Sequence, residues 1–206
     1  EMWYIIEAEE DAKIISGFSE PITKEIYLRH FSAKTLPEIL NFENVKPENV
    51  FFMPAGRVHA IGAGILLAEI QQTSDITYRI YDWDRLDKNG KGRELHTELA
   101  VDAIDYVDPG TYKIDYRAKI NNRVTLLDTS WFTTGIMVLD EPVEKDFNLI
   151  DSFVIYMCVQ GRALLDYGGK DKVSIDLGET VLIPASLKSL KILPEEETRL
   201  LEIFIK

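Results

Sequence analysis

Short runs of β-branched and aromatic residues, separated by turn-forming residues, recur along the whole of this 206-residue chain. Strands this short cannot stand alone, and tight turns join only antiparallel neighbours, so the pattern commits the chain to antiparallel sheets packed face to face. Strands are expected at 2–8, 12–18, 50–54, 56–60, 65–73, 76–82, 110–115, 124–128, 131–139, 148–158, 162–167, 172–176, 180–184, 187–193 and 197–205. Asn89-Gly90, Pro109-Gly110 and Gly168-Gly169 supply turns. No strand–helix–strand alternation is visible, so a sandwich or jelly roll is expected, not a parallel α/β sheet.

Two helical interruptions break this pattern in the first half. Residues 23–46 read as one or two helices, the second opened by Thr35-Leu36-Pro37-Glu38, a capping box with proline in the first turn. Residues 94–104 read as another, with Leu95, Leu99 and Val101 as the buried set. Composition shifts near 128–147, and all that follows 148 reads as strand. The expected division is a first domain at 1–128, carrying the insertions 23–46 and 94–104, and a second at 129–206. Phe52-Met53-Pro54-Ala55-Gly56 and Leu182-Ile183-Pro184-Ala185-Ser186 form a faint internal repeat. The second copy has no histidine and leads to Lys188 and Ser189 instead. Its barrel is therefore expected to be metal-free, to support the first, and to have an apolar interior of Val154, Tyr156, Leu164, Val181, Ile183 and Leu190.

Charge excludes several partners. The net charge is −12 and the pI about 4.7, so neither nucleic acid nor an anionic membrane surface is an expected partner. No apolar run approaches the ~18 residues of a membrane helix. Cys158, the only cysteine, cannot close an internal disulfide, which fits a reducing, cytoplasmic setting. Residue 1 is Glu and Trp3-Tyr4-Ile5-Ile6 already reads as strand. The expectation is a domain entered part-way, with no secretory leader and with upstream residues missing.

The chemistry concentrates between residues 54 and 85. Pro54-Ala55-Gly56-Arg57-Val58-His59 puts a histidine on a strand after a tight turn. Alone, such a histidine is more often a satisfied buried residue than a ligand. The next strands alter the balance. Alternation places Ile65, Leu67, Glu69, Gln71 and Thr73 on one face, and Asp75, Thr77, Arg79 and Tyr81 on one face of the following strand. These polar faces fit either a solvated sheet surface or a polar barrel lumen. Glu1, just before an aromatic strand, is a second candidate ligand; with His59 it makes an oxygen–nitrogen pair, short of the three protein ligands of a catalytic zinc. His30 and His96 are expected on helix surfaces. Lys88-Asn89-Gly90-Lys91-Gly92-Arg93 reads as a solvated hairpin more readily than as a phosphate loop.

Taken together, Pro54 to Gly64 and the run Glu69-Ile70-Gln71-Gln72-Thr73-Ser74-Asp75-Ile76-Thr77-Tyr78-Arg79-Ile80-Tyr81-Asp82-Trp83-Asp84-Arg85 resemble the type I mannose-6-phosphate isomerases in their short bacterial form. Glu1-Met2-Trp3-Tyr4-Ile5-Ile6 is similar to the family's segment around a zinc-binding glutamate. The resemblance implies a mainly β fold of two cupin-type jelly-roll barrels. It implies one zinc per full-length chain and interconversion of mannose 6-phosphate and fructose 6-phosphate, so a sugar phosphate is the expected partner. It makes Glu1 and His59 metal ligands and Arg79 the catalytic arginine, with Glu69 and Asp75 as acid–base or substrate-binding candidates. The family's remaining ligands, a glutamine and a histidine, lie before Glu1, and their absence here predicts weak or no zinc binding by this chain. A non-catalytic sugar-binding or regulatory cupin is the second reading. A metal-dependent cupin oxygenase is the third, disfavoured by the single suitable histidine.

Overall fold

A computed structural model describes every residue except Asp75, Ile76, Asp84, Asp108, Pro109, Thr111, Lys170 and Lys206. The chain divides into two compact units, Glu1–Lys113 and Ile114–Lys206.

The first unit contains β1 (Met2–Ala8), β2 (Lys13–Phe18), α1 (Lys24–Ala33), a 3₁₀ turn (Leu36–Ile39), β3 (Leu40–Asn44), β4 (Val50–Phe52), β5 (His59–Ile61), β6 (Ile65–Ile70) and α2 (Thr97–Ala103). The strand β7 (Lys113–Ile114) straddles the division. Two antiparallel sheets, in the orders β6-β1-β4-β7 and β3-β2-β5, enclose a core of Trp3, Ile5, Ile14, Val45, Phe51 and Met53. Trp3 and Phe51 come from one sheet and Ile14 from the other, as in a small jelly roll. The insertions lie against the opposite face of β2, where Ile15 and Phe18 join Tyr27, Leu36, Leu40 and Val101 in a second core. At the start of α1 the Thr23 hydroxyl accepts from Ile26 N, and at its end Lys34 takes the left-handed conformation with φ 58°.

Three expectations for this unit need correction. Residues 40–44, expected to be helical, form β3, because asparagine-rich Leu40-Asn41-Phe42-Glu43-Asn44 is a poor helix former and β2 offers a ladder partner. Among the described residues of 71–85 there is no strand. Instead Ile80 and Tyr81 are packed against the helix-side core, so the alternation argument for Arg79 fails. In α2 the buried residues are Ala100 and Val101, while Leu95 and Leu99 are 41% and 61% exposed.

The second unit holds β8 (Arg123–Asp128), β9 (Thr133–Leu139), β10 (Val143–Asp146), β11 (Val154–Gln160), β12 (Arg162–Asp166), β13 (Val173–Asp176), β14 (Thr180–Ile183), β15 (Ser189–Pro194) and β16 (Thr198–Phe204). Antiparallel sheets in the orders β14-β11-β16-β9-β8 and β10-β15-β12-β13 face each other. The division precedes β8, whose pairing with β9 ties it to this unit, whereas the expected boundary at 128/129 lay after it. Val154, Tyr156, Ile183 and Leu190 line the interior with Val181 packed beside them. Leu164 does not, because its neighbours Ala163 and Leu165 take the inward positions on β12.

The interior is also not wholly apolar. Glu202, 2% exposed, receives Arg123 Nε at 2.6 Å and Lys145 Nζ at 2.7 Å, and accepts from the Tyr156 hydroxyl. Strand register sets this row: Tyr156 and Gly135 both stand opposite Glu202 on neighbouring strands. Gly135 leaves room for the guanidinium, because a Cβ there would come within 2.5 Å of Arg123 Cζ. Burial, then the Glu202 charge, push the Tyr156 phenol far above its ordinary value, so it remains a donor.

Candidate functional site

The first strand and its partner build one wall of the site. The β1–β6 register puts Trp3 opposite Glu69 and continues to place Glu1 opposite Gln71. Glu1 is held in line by its backbone, which donates to Met53 O at 2.9 Å and accepts from Met53 N at 2.8 Å. Glu1, Glu69 and Gln71 therefore share the inward face of the sheet, at the end of the apolar core that Trp3 and Ile5 begin. His59 comes from the facing sheet, where β5 pairs with β2 and puts it opposite Ser16. The turn before it is fixed by Arg57, whose buried guanidinium donates to Ser16 Oγ at 2.9 Å and Ser16 O at 2.9 Å and also reaches Gly110 O.

These elements bring Glu1 and His59 together. His59 Nε2 lies 3.0 Å from Glu1 Oε1, with the side chains 37% and 14% exposed. The other ring nitrogen, Nδ1, donates to Arg57 O at 2.8 Å. In the neutral ring this leaves the Nε2 lone pair facing Glu1. Gln71, with its amide nitrogen toward the two carboxylates, donates to Glu1 Oε2 at 2.9 Å and Glu69 Oε1 at 3.1 Å. The Trp3 ring meets His59 edge-on at 5.4 Å. Glu1 Oε1 and Trp3 Nε1 are buried without a hydrogen-bond partner of normal geometry among the described residues.

The electrostatics follow. Burial alone raises the Glu1 carboxyl, but the hydrogen bond and charge of His59 outweigh it and hold Glu1 below the usual range. Burial works against protonating His59, yet Glu1, the Arg57 carbonyl and Glu69 together raise it. Glu69 is pushed up, first by burial and then by the negative charge of Glu1.

The Glu1–His59 pair suits a metal in part. Two donor atoms that each bind one ion at ~2.0–2.2 Å lie roughly 3 Å apart, as Oε1 and Nε2 do. Among the described residues, however, no group of three or more His, Cys, Asp or Glu side chains is placed to hold an ion. Among the described residues, Glu1 and His59 are thus a pair of candidate donors without a third His, Cys, Asp or Glu placed to hold the same ion.

Arg79 is placed by different means. Its guanidinium reaches Glu94 O at 3.4 Å, and among the described residues no carboxylate pairs with it. Asp82, a possible structural partner, is instead buried between Arg85 at 2.8 Å and Arg93, whose Nε donates at 2.9 Å. Arg93 first, then Arg85, hold the Asp82 carboxyl far below its usual value against the effect of burial. The loop beyond is the expected hairpin: Leu86 bridges Gly92, and Asp87 Oδ1 accepts from Asn89 N and Lys91 N at 2.8 and 2.9 Å. Asp75 lies outside the described residues. The sequence marks Gln71 only as one amide on a polar face. It places His96 on a helix surface, whereas His96 contacts the Arg79 backbone.

No protein-family model matches the chain. It is 32% identical over 194 residues to a mannose-6-phosphate isomerase of Bacillus subtilis, covering 93% of this chain and 60% of the relative. It is likewise 32% identical over 190 residues to a mannose-6-phosphate isomerase of Streptococcus mutans, covering 92% of this chain and 59% of the relative. The crystal structure of the mannose 6-phosphate isomerase from Bacillus subtilis superposes with a TM-score of 0.82 at 27% identity, over 99% of this chain and 64% of that one. The structure of a putative mannosephosphate isomerase from Archaeoglobus fulgidus, at 18% identity and a TM-score of 0.73, shares the fold. The chain spans about three-fifths of the length of the curated relatives it matches.

Proposed function

We propose that this chain, a relative of the mannose-6-phosphate isomerases along nearly its whole length, forms part of a zinc-dependent enzyme interconverting mannose 6-phosphate and fructose 6-phosphate. The observation that supports this most is the convergence of Glu1 Oε1 and His59 Nε2 at the end of the first barrel. In this reading they are two of the ligands of one zinc. A complete ligand set in this reading needs donors beyond these two. When bound, the ion supplies positive charge that polarises or anchors a substrate oxygen.

Aldose–ketose isomerisation moves a proton between C1 and C2 through an enediolate. It needs a group to carry the proton and positive charge where oxygen becomes negative. Glu69 suits the first task by position, opposite Trp3 on the inward face and joined through the Gln71 amide to Glu1. Arg79 suits the second, because no described carboxylate neutralises it and its planar fork can grip an oxyanion or a phosphate. Gln71 keeps Glu1 and Glu69 apart in direction by donating to one oxygen of each. The second unit, without a histidine from 148 to the end, offers the ion no imidazole there.

The test is a coupled isomerase assay on the full-length protein, with and without a chelator. Turnover that disappears with the chelator and returns with zinc is expected. No turnover in the presence of zinc refutes the reading and favours a sugar-binding protein.

A further inference from the structure

The segment that carries Arg79 has no ladder to hold it. Among the described residues of 71–85 there is no strand, so the backbone direction at Arg79 must be set otherwise. His96 provides two bonds. Its backbone N donates to Arg79 O at 2.8 Å, and Arg79 N donates to its ring Nδ1 at 3.2 Å. Together they bracket both polar groups of one peptide position, as a strand neighbour would. They also close the neck of the excursion whose tip is the Asp82-anchored hairpin.

His96 holds an unusual place for this task. It is the N-cap of α2, with φ −108° and ψ 48°, and its side chain makes no cap bond. Histidine is not among the preferred N-cap residues. The ring is turned instead toward the preceding loop, where Tyr78 lies against it at 6.3 Å. Accepting from Arg79 N requires Nδ1 to be unprotonated. On the other side, Ile80 and Tyr81 fix the next two residues in the helix-side core.

We propose that His96 is a positioning residue: its ring Nδ1 and backbone N fix the Arg79 backbone so that the guanidinium is aimed at the developing oxyanion or the phosphate. The inference rests on the isomerase reading given above.

The experiment compares His96→Asn with His96→Gln in the full-length, zinc-loaded enzyme. Asparagine places an oxygen close to where Nδ1 lies. Glutamine keeps polarity but carries its oxygen beyond Arg79 N. The Asn variant is expected to keep kcat within about threefold of wild type. The Gln variant is expected to lose about 10- to 100-fold, the scale of a misplaced catalytic group. Melting temperatures of both should stay within about 3 °C of wild type, as for loss of one partly exposed hydrogen bond. A third variant, His96→Ser, restores a good N-cap but no acceptor near Arg79, and should behave like Gln in kcat. Equal kcat in Asn, Gln and wild type overturns the proposal, as does an Asn variant as impaired as Gln. A wild-type enzyme without isomerase activity overturns the functional reading itself and this inference with it.

Discussion

Glu202 offers the sharpest test of the energetics. It lies 2% exposed between Arg123 and Lys145, whose side chains are 21% and 16% exposed. Replacing it with glutamine keeps the volume but removes the charge. One oxygen then remains for three donors, and the new amide N–H₂ must face a cation or the Tyr156 hydroxyl. Breaking one side of a buried ion network costs ~3–5 kcal/mol, because the partners stay buried without a counter-charge. The partial exposure of both cations lets water recover some of this, so the lower end, about 3 kcal/mol, applies. In a chain of this length each kcal/mol moves Tm by about 2–4 °C, giving a fall of about 6–12 °C. Scanning calorimetry and urea unfolding measure it. A fall below about 2 °C refutes the reasoning and means that water already solvates the network. The companion is a quadruple variant, Arg123→Met, Lys145→Met, Tyr156→Phe and Glu202→Leu, which should lie within about 2 kcal/mol of wild type because neither a charge nor the buried hydroxyl is stranded.

Four further outcomes follow from the same geometry. Gly135→Ala should displace Arg123 from Glu202, and combined with Glu202→Gln it should cost less than the sum of the single changes, which a double-mutant cycle reads directly. In the full-length protein His59→Ala should abolish stoichiometric zinc, and metal analysis showing unchanged zinc would remove His59 from the ligand set. Arg79→Lys keeps the charge and loses the fork; turnover should drop at least ~100-fold if Arg79 stabilises the enediolate, or KM should rise with turnover nearly intact if it anchors phosphate. A markedly lower Tm with normal kinetics would instead make Arg79 structural. Asp82 has a depressed folded-state carboxyl, so its contribution is present above the ordinary carboxylate range and is lost only as pH falls through its low folded value. Proteolysis at Lys88 and Lys91 should therefore stay slow from pH 8 to about 5 in wild type and accelerate at every pH in Asp82→Asn, with equal rates refuting the anchor.

The sequence alone determined the mainly β character, most strand positions and the choice of Glu1 and His59 as candidate ligands. Those features are local: period-2 alternation decides which side chains share a face, as it does for Glu69 and Gln71, and turn residues decide where strands end. The sequence did not decide 40–44 or 77–81. Both segments have mixed propensity, and whether they become strand depends on whether another strand offers a free edge. β2 offers one to residues 40–44, and no described strand offers one to residues 77–81. Nor could spacing foresee that Glu202 finds Arg123 and Lys145, 79 and 57 residues earlier in the chain, inside a barrel expected to be apolar. Burial of a charge is settled by which partners the folded chain brings to it. His96 is the same lesson at the site: seventeen residues separate it from Arg79, and only the closed neck of the intervening loop turns a helix-capping position into a partner for that arginine.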